Sequence, residues 1–237
     1  MRSAEKRALV LVAAIGMAVL FLTGLAGAMG RGFLEGRKDF AALYMGSRLA
    51  GTGHLYDARL EHAAQSRQFG FYMPAVTLTR LPFYAILLKP LTRLDYIPAW
   101  RVFFILNILC TLWFFRTQLW GDTLAFLLGA SFLPLYAALA NGQDTWLVAA
   151  LFSLAMLLER RGLEFSAGAV LSLCAIKPHL FVFVPLVVIL QKRWRFFAGA
   201  AVGDTLLMAA GFLAEGTGGS PGICKLSATR GSIRASR

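Results

Sequence analysis

From Ala8 to Leu213 the sequence is a succession of apolar runs separated by short basic or polar punctuation. That pattern limits the fold more than any motif does. Hydrophobic residues make up 58% of the 237 positions and charged residues 15%, with a mean hydropathy of +0.64. Soluble domains run near ~45–50% apolar and about a quarter charged. A soluble fold of this size would have to expose the excess. Lipid suits it, and lipid requires every backbone polar group to be satisfied internally, which helices do. The expected fold class is therefore all-α, a polytopic membrane helical bundle.

The net charge of +12 would suggest nucleic acid in a soluble chain. Here no recognition motif accompanies it, and the Lys and Arg residues flank apolar runs, where they set orientation and meet anionic headgroups. Nucleic acid is thus excluded as a partner. Cys110, Cys174 and Cys224 show neither metal spacing nor a disulfide framework and read as inert thiols. No metal and no cofactor is expected.

The run from Ala8 to Met29 is longer than a usual signal-peptide core and reads as an uncleaved first span, with Arg2, Lys6 and Arg7 holding its start in the cytoplasm. A large first extracytoplasmic loop follows, over about residues 30–96. Its polar part, Arg31 to Arg80, carries seven Lys/Arg and two of the three histidines. Leu81–Pro90 is apolar but short and bracketed by Pro82 and Pro90, so a juxtamembrane helix is expected there. The remaining spans are expected at Ile97–Phe115, Thr123–Ala140, Thr145–Leu158, Phe165–Ile176, Leu180–Leu190 and Phe196–Leu213. That makes about seven transmembrane helices. Arg116, Arg160-Arg161 and Lys192–Arg195 then fall in the cytoplasm, as the positive-inside rule asks. Some of these runs are short, since twelve helical residues rise only about 18 Å against a core of about 30 Å.

This topology puts Asp39, Gln143, Asp144, Lys177 and His179 on the outer side, near the bilayer boundary, where polar groups default to function. The Trp residues read as interface anchors. Residues 1–213 form one module, and 214–237, rich in Gly, Ser and Arg, is expected to be a disordered tail.

Lys38-Asp39-Phe40, then Tyr44, then Gly53-His-Leu-Tyr-Asp57 resembles the opening of the first outer loop in glycosyltransferase family 87. The likeness continues through Arg80-Leu-Pro-Phe-Tyr-Ala-Ile-Leu-Leu-Lys-Pro-Leu91, Asn141-Gly-Gln143, Ala175-Ile-Lys-Pro178 and the basic Lys192–Arg195. The resemblance implies a GT-C-like architecture: a cytoplasmic N-terminus, a large first outer loop and a helical bundle in the cell membrane. It implies an inverting hexosyltransferase that takes a sugar, mannose in the family, from a polyprenyl-phosphate donor to a lipid or glycan acceptor. The early carboxylate taken as the family's base matches Asp39. Family members are longer, so the chain reads as a C-terminally truncated one.

The chemistry fits those residue types. An inverting transfer needs one base for the acceptor hydroxyl, and cations to balance the leaving phosphate. Lys177 suits the phosphate and His179 can share it, while Asn141 and Gln143 suit sugar hydroxyls. Tyr44 and Asp57 complete the substrate-binding candidates. Each has a plainer reading. Asp39 reads also as a solvated loop carboxylate, Asp57 as a helix or turn cap, Lys177 as a snorkelling helix end, His179 as an interfacial histidine and Asn141-Gly142 as a turn. Asp204 receives no assignment. Two other functions remain open at this level: a transporter or flippase, which would favour broken helices at the midplane and internal repeats, and an inactive fragment of a glycosyltransferase.

Overall fold

The computed structural model describes residues 39–69 and 77–215, together with Val12, Ile15, Gly16 and Val19. The expected first span falls outside the described residues except at those four helical positions, and the expected tail does so beyond Glu215. All regular structure among the described residues is helical. The loop layer holds α1 (Asp39–Leu49), α2 (Ala58–Phe69) and α3 (Pro82–Leu88), the last running into a 3-10 turn at Lys89–Arg93. The bundle holds α4 (Tyr96–Phe114), α5 (Thr123–Ala130), α6 (Leu133–Ala140), α7 (Thr145–Arg160), α8 (Glu164–Ser172), α9 (Pro178–Phe181), α10 (Val184–Leu190) and α11 (Trp194–Glu215).

The juxtamembrane helix is where the prolines put it. Pro82 occupies the first helical position of α3, where a missing N–H costs nothing, and Pro90 falls where the helix tightens. Among the described residues two helices are long and apolar enough to cross a membrane, Tyr96–Leu119 and Trp194–Glu215. The expected single span Thr123–Ala140 is two eight-residue helices broken at Ser131 and Phe132. Pro134 accounts for the break, because a proline inside a helix removes a donor and its ring collides with the preceding turn. The expected Leu180–Leu190 helix is divided likewise at Val182 and Phe183, ahead of Pro185. The end of the expected Phe165–Ile176 helix tightens into a 3-10 turn at Leu173–Ile176, ahead of Pro178.

Small residues bring α8 and α11 into backbone contact. A methyl on Gly168 would stand 2.8 Å from the Ala200 nitrogen, and one on Gly199 would stand 2.8 Å from the Phe165 carbonyl carbon. Gly203 meets the Ser172 side chain, 2.8 Å from its Cβ. Gly199 and Gly203 are four apart, so both face the same neighbour. This is the spacing by which helices approach closely where no hydrophobic driving force exists between them.

The helices run between two ends. Arg193, before α11, pairs with Glu159 at the end of α7 (2.5 Å) and Glu164 at the start of α8 (3.4 Å). At the opposite end α11 packs Gly211 against Pro82 and Phe83 of α3, and Glu215 accepts the Gly51 N–H. Helix α1 is buried on every side from Phe40 to Ser47. The Phe40 ring packs on Tyr96, Trp100 and Phe103 of α4 at centroid distances of 5.6, 5.3 and 4.9 Å. The expected outer loop is thus a folded layer seated on one end of the bundle.

Glu61 ties that layer to the strand of chain entering α3. Its carboxylate is buried and accepts the Leu78 N–H at 3.0 and 3.1 Å. Burial pushes its pKa from 4.5 up to about 7, against the lowering effect of the Leu78 and Gln65 hydrogen bonds.

Two outcomes follow. Gly199→Leu is expected to cost about 3 kcal/mol by overpacking, whereas Ala198→Leu, at an exposed position, stays within about 0.5 kcal/mol. Thermal unfolding in detergent checks both, and equal effects would refute the close crossing. For Glu61, the folded state favours the protonated form. Its stabilisation is therefore full below pH 4.5 and is lost as pH rises through about 7. Glu61→Gln is expected to flatten the fall in stability between about pH 5 and pH 8, and to exceed the parent at the alkaline end by at most about 3 kcal/mol. An unchanged pH slope would show that Glu61 does not titrate there.

Candidate active site

The site begins with how α6 ends. The Gln143 N–H bonds back to the Ala138 carbonyl (2.9 Å) and the Gly142 N–H to the Leu139 carbonyl (3.1 Å). These paired bonds form a Schellman motif, which needs a left-handed residue between its helix and its exit. Gly142 supplies it with φ +67°. A side chain there would also strike Trp100 at 2.7 Å and Phe40 at 2.9 Å, so glycine is required twice over. The turn leaves the Asn141 carbonyl facing outward, and the Asp39 N–H donates to it at 3.0 Å. Asp39, the first residue of α1, is thereby fixed beside Asn141–Gln143, a hundred residues further along the chain.

Asp144 follows the turn and opens α7, yet its side chain does not cap that helix. It is fully buried and takes two cations instead. Arg80 approaches in parallel, Nε to Oδ2 at 2.9 Å and Nη2 to Oδ1 at 3.0 Å. Lys177 Nζ lies 3.2 Å from Oδ1 and donates to the Thr145 hydroxyl at 2.6 Å. That hydroxyl in turn donates to Gln143 Oε1 at 3.2 Å. Tyr56 donates its hydroxyl to the Arg80 carbonyl at 2.8 Å, holding the main chain under the guanidinium.

Four of the residues singled out by sequence therefore meet at one end of the bundle: Asp39, Asn141, Gln143 and Lys177. His179 follows on the single-turn α9, exposed. Tyr44 is buried, donates its hydroxyl to the Leu94 carbonyl at 2.8 Å and packs edge-on against Tyr96. Asp57 accepts the Arg59 and Leu60 N–H groups at 2.9 and 3.2 Å, as an N-cap of α2 does. Sequence reasoning counted Asp144 among the polar groups that default to function and quoted Arg80 within a motif, but gave neither a specific part and did not pair them. The available signal was the placement of Asp144 itself, a carboxylate opening an apolar helix. Among the described residues no three His, Cys, Asp or Glu side chains converge in a group able to hold a metal.

An open cavity of about 390 Å³ lies between α8, α10 and α11, from Pro178 to the start of α11 at Phe196 and Phe197. Leu171, Ala175, Val188, Phe196 and Phe197 make its wall apolar, Pro178 borders it next to Lys177, and Asp204 is its one charged lining residue.

Neither the curated proteins nor the solved structures compared with this chain gave a match. A family model did: glycosyltransferase family 87, over residues 81–220. Asp39, Tyr44, Asp57 and Arg80 precede the matched stretch, and Asn141, Gln143, Asp144, Lys177 and His179 lie within it. With more than half of its length matched, including the turn and the lysine that meet at this end of the bundle, the chain belongs to glycosyltransferase family 87.

Proposed function

We propose that this glycosyltransferase is an inverting hexosyltransferase of the GT-C type. It moves mannose from a polyprenyl-phosphate donor to a lipid or glycan acceptor at the extracytoplasmic face of the cell membrane. The observation that carries this reading is the bond from the Asp39 N–H to the Asn141 carbonyl, 3.0 Å. It brings a carboxylate to the end of the bundle where Lys177 lies.

In this reading Asp39 takes the proton of the acceptor hydroxyl as its oxygen attacks the anomeric carbon. The bond from that carbon to the phosphate oxygen breaks, and its electron pair leaves with the phosphate. The leaving group is already an anion, so it calls for cations rather than for an acid. Lys177 supplies one. Asn141 and Gln143 receive sugar hydroxyls, and the exposed His179 shares the phosphate or the sugar. Tyr44 and Asp57, whose polar groups are bonded within the protein, act on substrate by shaping the layer that carries Asp39.

The apolar cavity bordered by Pro178 suits an isoprenoid chain whose phosphate sits by Lys177. The placement of charge supports the orientation. Arg193, Glu159 and Glu164 gather at the far end from Asp39, and with Arg160 and Arg161 they read as the cytoplasmic end under the positive-inside rule.

Asp39→Asn keeps size and loses basicity. It is expected to lower mannose transfer from polyprenyl-phosphate-mannose by about 10²–10⁴-fold at unchanged membrane expression. Radiolabel transfer in membranes measures this, and transfer at the parent rate would remove Asp39 as the base.

A further inference from the structure

Thr145, the first residue of α7, stands between two polar side chains of the site. The Lys177 ammonium donates to its hydroxyl at 2.6 Å. A lysine ammonium has no lone pair with which to accept, so the Thr145 oxygen is the acceptor in that bond. Its own single proton is left for a second partner, and among the described residues it goes to Gln143 Oε1 at 3.2 Å. The direction of this chain is thus set at its charged end, where Lys177 is tied to Asp144 Oδ1 at 3.2 Å. The consequence falls on Gln143. A glutamine amide has an acceptor end and a donor end of nearly the same shape, and nothing in the side chain itself chooses between them. Thr145 chooses. With Oε1 bonded to its hydroxyl, the Nε2 end and its two N–H groups remain for another partner. The Gln143 side chain is partly exposed, and its main chain is fixed by the glycine turn through the bond to the Ala138 carbonyl at 2.9 Å.

We propose that Thr145 is a positioning residue for sugar recognition: it carries the hydrogen bond of Lys177 on to Gln143 and so presents the Gln143 amide to substrate as a donor. This rests on the sugar role proposed above for Gln143 and adds what that role requires. The group that meets Nε2 must offer a lone pair, as a sugar hydroxyl or ring oxygen does, and a group that can only donate is refused. An amide free to turn over would present either end and would lose that freedom on binding. One already held by Thr145 does not, so less binding energy is lost to ordering it. Thr145 itself acts through Gln143 and need not touch the sugar.

The test is a double-variant cycle on mannose transfer from polyprenyl-phosphate-mannose, with Thr145→Val, Gln143→Ala and the two combined. Thr145→Val keeps the shape and removes the hydroxyl. It is expected to lower kcat/KM by about three- to tenfold, the contribution of one hydrogen bond to an uncharged group, and Thr145→Ser is expected to restore it. Because Thr145 acts through Gln143, the combined variant is expected to fall no further than Gln143→Ala alone. Losses that multiply would show that Thr145 acts through Lys177 or through the packing of α7, and would overturn the proposal, as would the parent rate in Thr145→Val. Thr145→Ala replaces the valine variant should that one fail to fold. A second readout needs no substrate. In the full chain in detergent, with isotope-labelled glutamine, the Gln143 side-chain amide is identified by its loss in Gln143→Ala. It is expected to be ordered in the parent and in Thr145→Ser, and mobile in Thr145→Val, with an order parameter below about 0.6. Equal order in the parent and in Thr145→Val overturns the proposal even if transfer falls. An amide ordered by Thr145 in a parent that transfers no mannose would leave the positioning standing and the mannose donor wrong.

Discussion

The buried carboxylate of Asp144 is the point on which the functional end of this protein depends. It joins the chain entering α3 through Arg80, the start of α7 through its own backbone and the break before α9 through Lys177. A charge without solvent contact must be paired, and pairing it requires those three segments to arrive together. The hydrogen bonds from Lys177 to Thr145 and from Thr145 to Gln143 extend the cluster to the glycine turn. From that turn, one main-chain bond reaches Asp39.

Geometry at this end is therefore set by parts of the fold that carry no chemistry. The glycine contacts of α8 and α11 bring those helices together and carry α11 to α3, which it meets at Gly211. Tyr56 and Glu61 bond the main chain at Arg80 and Leu78, on either side of Thr79. The loop layer thus positions Arg80 from outside, while Asp144 positions it from within. For a family that transfers sugars, such rigidity has a use. Electrostatic stabilisation costs least when the charged groups are already in place.

Much of the candidate site was legible in sequence. Asp39, Asn141, Gln143 and Lys177 could be singled out, despite a plainer reading for each, because their ordered motifs resembled glycosyltransferase family 87, whose model matches residues 81–220. The juxtamembrane helix was legible from its two prolines. Pro134 and Pro185 were equally visible, but hydropathy alone favours one continuous span, and it reports nothing of a backbone break. Arg80 and Asp144 were both noted in sequence, but their pairing was not, for a different cause. They are 64 residues apart, and no local pattern marks a pair formed only by docking. Tyr44 and Asp57 were legible as polar residues in a conspicuous motif, yet only their bonding partners, the Leu94 carbonyl and the first turn of α2, show how their polar atoms are used.

Sequence by itself determined the helical class, the solvent the chain suits, the family resemblance and the juxtamembrane helix between its two prolines. These follow from composition, from hydropathy and from proline and glycine, all of which act locally. The tertiary structure alone decided which polar groups share a carboxylate, and that α1, α2 and α3 pack as a layer on one end of the bundle. Those outcomes depend on burial, and burial is a property of segments brought together from distant parts of the chain.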